Sequence, residues 1–316
     1  MSQVNQPTFR HTPVLVDEVC RLLINDHTGV YVDGTFGLGG HSKALSSHLN
    51  DTAILIGIDQ DDSALAQFDP SLIRQKLHLV CTNFENLDQV LYDLSITQVH
   101  GILLDLGLNS FSLDDPSRGF AFSLTGPLDM RFDRSNELTA ETVINEYSQE
   151  KLAEIIFRYG EERNSRRIAR RIVEMRAQKR LTSSDELKLA VVKSVDPRFQ
   201  NKSLARVFQA FRIEVNREME VLGTILESAI GCLAPGGRLA VISYHSLEDR
   251  MVKNHFRDLS LDIPRQPGML DEEIRIPLLK RITSKPVIAG SIEAEANPRA
   301  RSAKLRVAER TSYAAK

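Results

Sequence analysis

Four short apolar runs in the first third of the chain, three of them closed by an aspartate, constrain the fold more than any other feature. They are Val30-Tyr31-Val32-Asp33, residues 53–59 ending in Asp59, residues 77–81, and residues 99–105 ending in Asp105. Short continuous apolar runs are what strands buried on both faces require. Helical patterns separate them, at 14–24 (Val14, Val19, Leu22 and Leu23 on one stripe), 40–49, 61–67 and 85–94. Strands alternating with helices predict an α/β fold with a mostly parallel sheet and right-handed crossovers. Open parallel sheets bind ligands outside the carboxyl ends of their strands, which is where Asp33, Asp59 and Asp105 fall.

The first strand runs into Gly34-Thr35-Phe36-Gly37-Leu38-Gly39-Gly40-His41-Ser42, a loop where backbone can approach a ligand closely. A dinucleotide fingerprint would place a third glycine where Ser42 stands, and would set pyrophosphate on the next helix N-terminus. Asp33, just before the loop, repels a pyrophosphate but attracts a cation. S-adenosylmethionine carries an ammonium and a sulfonium and no phosphate, so charge favours it. On the loop alone both ligands stay open. Asp59 sits where an acid accepts ribose hydroxyls, a role common to both. Phe84, after the third run, can lie against an adenine ring or simply pack in the core. His41 reads as a hydrogen-bonding or packing residue. Asp61 and Asp62 read as the start of the next helix.

After Asp105 the rhythm breaks. Residues 107–133 are rich in Gly, Pro, Ser and Asp, too long for an ordinary connection. Helical patterns follow at 149–159, capped by Ser148 and stopped by Gly160, then at 161–179, 184–195 and 204–233. A strand returns at 237–244 behind the turn Pro235-Gly236. The organisation expected is a discontinuous sheet domain, 1–109 with 213–316, interrupted by a loop and helical domain, 110–212. An insert of that length is an ordinary domain size.

With 42% apolar and 26% charged residues, the composition is that of a soluble globular protein. Residues 1–12 are polar with no apolar core of a signal peptide, and no run is long enough to span a membrane. Three scattered cysteines, Cys20, Cys81 and Cys232, make neither a disulfide framework nor a zinc site, and fit a reducing cytoplasm. No metal site is expected. Net charge is -2, but it is unevenly spread. Residues 158–180 carry nine Lys/Arg against three Glu, and 297–316 carry six against one. Such stretches are either a polyanion footprint or a solvated helix face.

The string Ser243-Tyr244-His245-Ser246-Leu247-Glu248-Asp249-Arg250 puts Ser, His and Asp together, yet it fits a capping box with Ser246 at the N-cap and Asp249 at N3. With no G-x-S-x-G, a serine hydrolase is rejected. His245 reads as a lining residue at a strand end. The residues leave two rival functions to consider. A nucleotide-dependent oxidoreductase would want the missing third glycine. A non-enzymatic RNA-binding factor would keep the basic stretches without needing three strand-end acids.

Nine strings, in order, then converge. They are His11-Thr12-Pro13-Val14-Leu15, the loop from Asp33 to Ser42, Asp105-Leu106-Gly107-Leu108-Asn109-Ser110, Arg118-Gly119-Phe120-Ala121-Phe122, and Gly126-Pro127-Leu128-Asp129-Met130-Arg131. Tyr159-Gly160-Glu161-Glu162, Phe208-Gln209-Ala210-Phe211-Arg212-Ile213, the string from His245 to Arg250, and Asn297-Pro298-Arg299-Ala300-Arg301-Ser302 complete them. Together they closely resemble the bacterial ribosomal RNA small-subunit methyltransferase H family, which methylates the N4 of a cytidine in 16S rRNA. The match covers nearly the whole chain.

The resemblance implies a class I S-adenosylmethionine-dependent methyltransferase, Rossmann-like, with a helical domain inserted after the fourth strand. It implies S-adenosylmethionine as cofactor and the small ribosomal subunit as partner, for a monomer or a homodimer. Asp33, Gly39, Gly40, His41, Asp59 and Phe84 would then line the cofactor, and Asp105 would lie at the methyl-transfer centre. Ser112 would join the cofactor contacts, standing where the family usually carries a longer Gln. Residues 202–206 read Lys-Ser-Leu-Ala-Arg where the family usually has His-Pro-Ala-Thr-Arg, which leaves Arg206 as the matching residue. Arg163, Arg166, Arg167 and Arg170, with Arg206, Arg299 and Arg301, are the expected RNA contacts.

Overall fold

In a computed structural model of the protein, residues 13–107, 115–263 and 276–313 are described. The apolar runs form β1 (Val30–Asp33), β2 (Ile54–Asp59), β3 (Lys76–Cys81) and β4 (Val99–Asp105). They pair in parallel, β3 on β2, β2 on β1 and β1 on β4. Ile102, Leu103 and Leu104 are fully buried in succession, as a strand covered on both faces demands. The intervening helices are α1 (Val16–Leu23), before β1, then α2 (Gly40–His48), α3 (Asp62–Leu65) and α4 (Leu87–Asp93).

The chain divides into two compact units, residues 1–107 with 222–316, and residues 108–221. In the second unit lie α5 (Ala140–Glu146), α6 (Gln149–Gly160), α7 (Ser165–Arg176), α8 (Ser184–Val192) and α9 (Gln200–Asn216). The boundary at 221 falls inside α10 (Glu218–Cys232), rather than at 212. The core of this unit includes Ile155, Ile156, Ile168, Ile172, Leu187, Val207 and Phe211, contributed by α6 to α9.

Three local expectations are corrected here. Gly160 does not stop α6: it is the last helical residue, and Glu161 takes the left-handed conformation (φ 49). Gly160 is small because a Cβ there would lie 2.6 Å from the Arg206 carbonyl oxygen of α9. The expected single helix at 204–233 is two helices, broken at Arg217 (φ 51). The break is held by side chains. Arg212 donates through Nε and Nη2 to the two Glu218 oxygens (2.7 and 2.9 Å), and Asn216 Nδ2 donates to the Met130 carbonyl (2.7 Å). The basic stretch at 297–316 is not simply a solvated helix face either, because residues 304–310 form a sheet strand.

That strand is β7 (Lys304–Arg310), antiparallel to β5 (Leu233–Ser243), which in turn runs parallel to β4. β6 (Leu279–Arg281) pairs antiparallel with β7 at the edge. The alternation Leu305, Val307 buries one face of β7, while Arg306 on the other face is also buried and pairs with Asp249 (2.7 Å). The sheet order is β3-β2-β1-β4-β5-β7-β6. After β5 comes α11 (Ser246–Asp258), and before β7 the short α12 (Ser291–Ala296). The N-cap of α11 is His245 with Glu248 at N3, one residue earlier than the Ser246/Asp249 box expected. Asp249 is thereby left to the salt bridges with Arg306 and Lys304. Among the described residues no helix is long and apolar enough to cross a membrane.

Candidate active site

The register places Asp33 opposite Gly57 and Leu103, so β1, β2 and β4 end side by side in Asp33, Asp59 and Asp105. Parallel pairing thus gathers three carboxyls on one sheet edge. They are not equivalent. Asp33 is 1% exposed and accepts from Ser42 Oγ (2.7 Å) and the Thr35 amide (3.3 Å). Burial pushes its pKa up, against the lowering effects of His41 and those hydrogen bonds. Asp33 therefore braces the loop from below; it does not present an open carboxylate to a ligand. Ser42 replaces the third glycine of a dinucleotide loop and is the hydroxyl that satisfies this buried acid.

Asp59 holds the loop from the other side, accepting from the Gly37 amide (2.7 Å) and the Asp61 amide (2.9 Å). Burial raises its pKa to about 6. Each oxygen keeps a further lone pair for a hydroxyl donor. Gly37 (φ 53) and Gly39 (φ 71) take left-handed backbone, and a Cβ on Gly39 would fall 2.4 Å from the Phe68 ring. Gly40 opens α2 behind it. Phe84 is half-buried at the start of a short 3-10 turn after β3, capped by Asn83. A Cβ on Gly34 would lie 3.3 Å from Phe84 Cβ, so the aromatic stands against the glycine loop.

Asp105 closes β4, and its amide donates to Thr35 Oγ1 (2.7 Å). Its Oδ1 accepts from the Tyr244 phenol (2.7 Å) and its Oδ2 lies 3.7 Å from His41 Nδ1. Burial, followed by the charge of Asp105, drives the Tyr244 pKa far up, so the phenol stays protonated and donates. The Val14 carbonyl 2.9 Å from His41 Nε2 can only accept, which places the ring proton on Nε2. In the neutral ring Nδ1 then shows Asp105 a lone pair. The Arg299 guanidinium lies over the Tyr244 ring, 5.5 Å from its centroid.

The structure brings Asp33, Gly39, Gly40, His41, Asp59, Phe84 and Asp105 to one end of the sheet. Ser112 lies outside the described residues. Arg163, Arg166, Arg167 and Arg170 are exposed on α7 and the turn before it, and Arg170 is 3.8 Å from Glu174. Arg206 is 3.6 Å from Glu162, a buried carboxylate that also accepts from Ser203 (2.8 Å) and the Asn164 amide (2.8 Å). Arg301 is exposed, with Nε donating to the Ala294 carbonyl (2.9 Å).

Two residues of this site escaped the sequence reading. Tyr244 stood only at the end of the expected strand 237–244, next to the rejected Ser, His and Asp set, and its partner Asp105 is 139 residues away. Thr35 lay within the quoted loop, but nothing in the string shows that its hydroxyl caps the end of β4.

The sheet order, with antiparallel β7 inserted between β5 and β6, and the carboxyl-lined glycine loop define a class I S-adenosylmethionine-dependent methyltransferase. The chain belongs to the MraW methylase family, whose family model matches residues 8–311. It is 43% identical over 311 residues to the "Ribosomal RNA small subunit methyltransferase H" of Caldicellulosiruptor saccharolyticus, covering 96% of this chain and 99% of the relative. A protein of the same name from Chlorobium phaeobacteroides is 43% identical over 318 residues, covering 96% of each. One from Clostridium botulinum is 42% identical over 306 residues, covering 95% of this chain and 98% of the relative.

Proposed function

We propose that the protein transfers the methyl group of S-adenosylmethionine to the exocyclic N4 of a cytidine in 16S rRNA of the small ribosomal subunit. The observation that carries this reading is Asp105. Its carboxylate is fixed by Tyr244 through one oxygen and leaves the other beside His41, at the same sheet edge as the glycine loop.

The cofactor fits the residues present. Gly37, Gly39 and Gly40 offer backbone without Cβ atoms, Asp59 has lone pairs for two ribose hydroxyls, and half-buried Phe84 offers a face for adenine. When bound, the donor supplies an electrophilic methyl carbon on a sulfonium.

Cytosine N4 is a poor nucleophile because its lone pair is delocalised into the ring. Asp105 Oδ2 can accept a hydrogen bond from the amino group, which shifts the nitrogen toward a localised lone pair and holds it in line for attack. The N4–carbon bond forms as the sulfur–carbon bond breaks, and the displaced N4 proton leaves to Asp105 or to water. A covalent cysteine is not needed. Burial pushes the Cys20 and Cys232 thiols up to about 11, which keeps them protonated. The base must leave its stack to reach the donor.

Arg163, Arg166, Arg167 and Arg170 would supply phosphate contacts from the helical unit, with Arg299 and Arg301 in the sheet unit. Arg206, held near Glu162, would act at the edge of that contact set. A cytoplasmic protein, monomer or homodimer, suits this substrate. The deciding experiment is methyl transfer from labelled S-adenosylmethionine to small subunits purified from cells lacking the enzyme, followed by nucleoside analysis. Label in N4-methylcytidine is expected. Label in another nucleoside, or in none, overturns the proposal.

A further inference from the structure

A cavity of about 280 Å³ opens beside Tyr244, between the start of α11 and the residues leading into β7. Its lining combines an apolar floor from Ala289, Ala300 and Ala303 with an aromatic wall from Tyr244 and a cationic rim from Arg301 and Lys304. At the rim Lys304 (3.2 Å) and the buried Arg306 (2.7 Å) share the carboxylate of Asp249 and Arg301 is exposed, while at the Tyr244 end Glu248 accepts from the Tyr244 and His245 amides.

We infer that this cavity is a subsite for one nucleotide of the RNA strand, the neighbour of the cytidine being methylated, with its phosphate at Arg301 and Lys304 and its base or sugar on the floor beside Tyr244. The inference rests on the methyltransferase reading above. Three observations favour it. The volume lies just below the roughly 300–1,000 Å³ range of small-ligand pockets, a size for one nucleotide rather than a dinucleotide or the methyl donor. The pairing of an apolar and aromatic floor with a cationic rim is how single-stranded nucleic acid is held. The Tyr244 ring that walls the cavity is the same one whose phenol reaches Asp105 at 2.7 Å. A ligand here is one side chain away from the proposed acceptor position, the separation expected of adjacent nucleotides in one strand. Occupancy of the subsite would also press on the ring that orients Asp105, linking recognition of the neighbour to the reacting carboxylate.

The test uses the full-length protein and two variants: Ala289→Trp, which fills the cavity, and Arg301→Glu, an exposed change that keeps the fold. Methyl transfer to small subunits is measured across salt concentrations, S-adenosylmethionine binding by calorimetry, and binding of a short fluorescent oligoribonucleotide by anisotropy. Ala289→Trp is expected to lower kcat/KM for the RNA at least about tenfold with cofactor binding unchanged. Arg301→Glu is expected to weaken oligonucleotide binding and to reduce the salt slope by about 0.7, the value for one single-strand phosphate. If wild type methylates rRNA and both variants match it in kcat/KM and in oligonucleotide affinity, the subsite is overturned while the enzyme assignment stands. If wild type binds the cofactor but moves no methyl to rRNA, the functional reading falls and the subsite falls with it.

Discussion

The two units of the molecule handle charge in opposite ways. In the sheet unit the acids at the strand ends are buried or half-buried and tied to fixed partners: Asp33 to Ser42, Asp59 to two loop amides, Asp105 to Tyr244. In the helical unit the arginines before and along α7 stand in solvent, with local partners such as Glu174. A charge taken out of water is costly unless its partners are fixed in advance, so a buried network suits a small ligand of defined shape. Exposed arginines lose little by being mobile, and suit a long polyanion read by charge. Glu162, buried and ringed by Ser203, Asn164 and Arg206, is one exception in the helical unit, as is the Arg212–Glu218 pair. Glu162 braces α6 and α9 much as Asp33 braces its loop.

The contrast can be broken most directly at Asp105. Asp105→Ala is expected to fold, as judged by circular dichroism, and to lose about a hundredfold or more in turnover. Wild-type rates from a folded variant would remove the sheet-edge network from the chemistry. Tyr244→Phe sharpens the same point. It deletes one donor to a charged acceptor, worth about 1.5–3 kcal/mol, so kcat is expected to fall roughly ten- to a hundredfold with the KM for S-adenosylmethionine little changed. An equal rise in that KM would make Tyr244 a cofactor residue.

Next comes pH. Ribose hydroxyls donate to the ionised carboxylate, but in the free protein Asp59 is protonated below about 6. Below that pH a proton must be released on binding, so S-adenosylmethionine affinity is expected to fall by up to about tenfold per pH unit and to level off above it. The stability of the cofactor-free protein has the opposite sign. A raised carboxyl pKa gives a contribution that is full at low pH and is lost as pH rises through about 6. Calorimetry across pH 5–8 with wild type and Asp59→Asn reads both, and a flat wild-type profile would detach Asp59 from the ribose. The smallest effect is expected in the helical unit. Charge reversal at Arg163, Arg166, Arg167 and Arg170 should weaken RNA binding severalfold at physiological salt and flatten the salt dependence by about 0.7 per lost phosphate contact, with cofactor binding untouched.

The parallel half of the sheet was legible because its signal is local. A buried strand must be apolar along its length, and the acids that end β1, β2 and β4 mark where the backbone leaves the core. The antiparallel half was less so. β7 alternates Lys304, Leu305, Arg306 and Val307, a pattern that reads as a basic tail unless Asp249 is known to sit across from Arg306. The break between α9 and α10 carries no glycine or proline. It depends on Arg217 entering left-handed space and on the Arg212–Glu218 pair. His245 displaced Ser246 as N-cap because the Tyr244 and His245 amides both donate to Glu248, which sets the helix one residue earlier. In the site, each residue's chemistry was visible in the sequence, but the wiring was not. Asp33 was expected to face a cation, and only the Ser42 hydroxyl shows that it faces inward.

The place of β5 in the sheet has a consequence for synthesis. β4 is complete at residue 105, but its partner begins with the pairing of Val99 to Leu233 and continues from Gly101 with Arg238. At roughly 5–20 residues per second, a ribosome needs on the order of ten seconds to make the intervening chain. Through that interval the fully buried run Ile102-Leu103-Leu104 has an open edge of unpaired backbone, the kind that recruits other strands. Helices α5 to α9, made in the meantime, belong to the other compact unit and pack on one another, so they can fold ahead of the sheet. The helical unit can thus be packed while that edge still waits for its last partner.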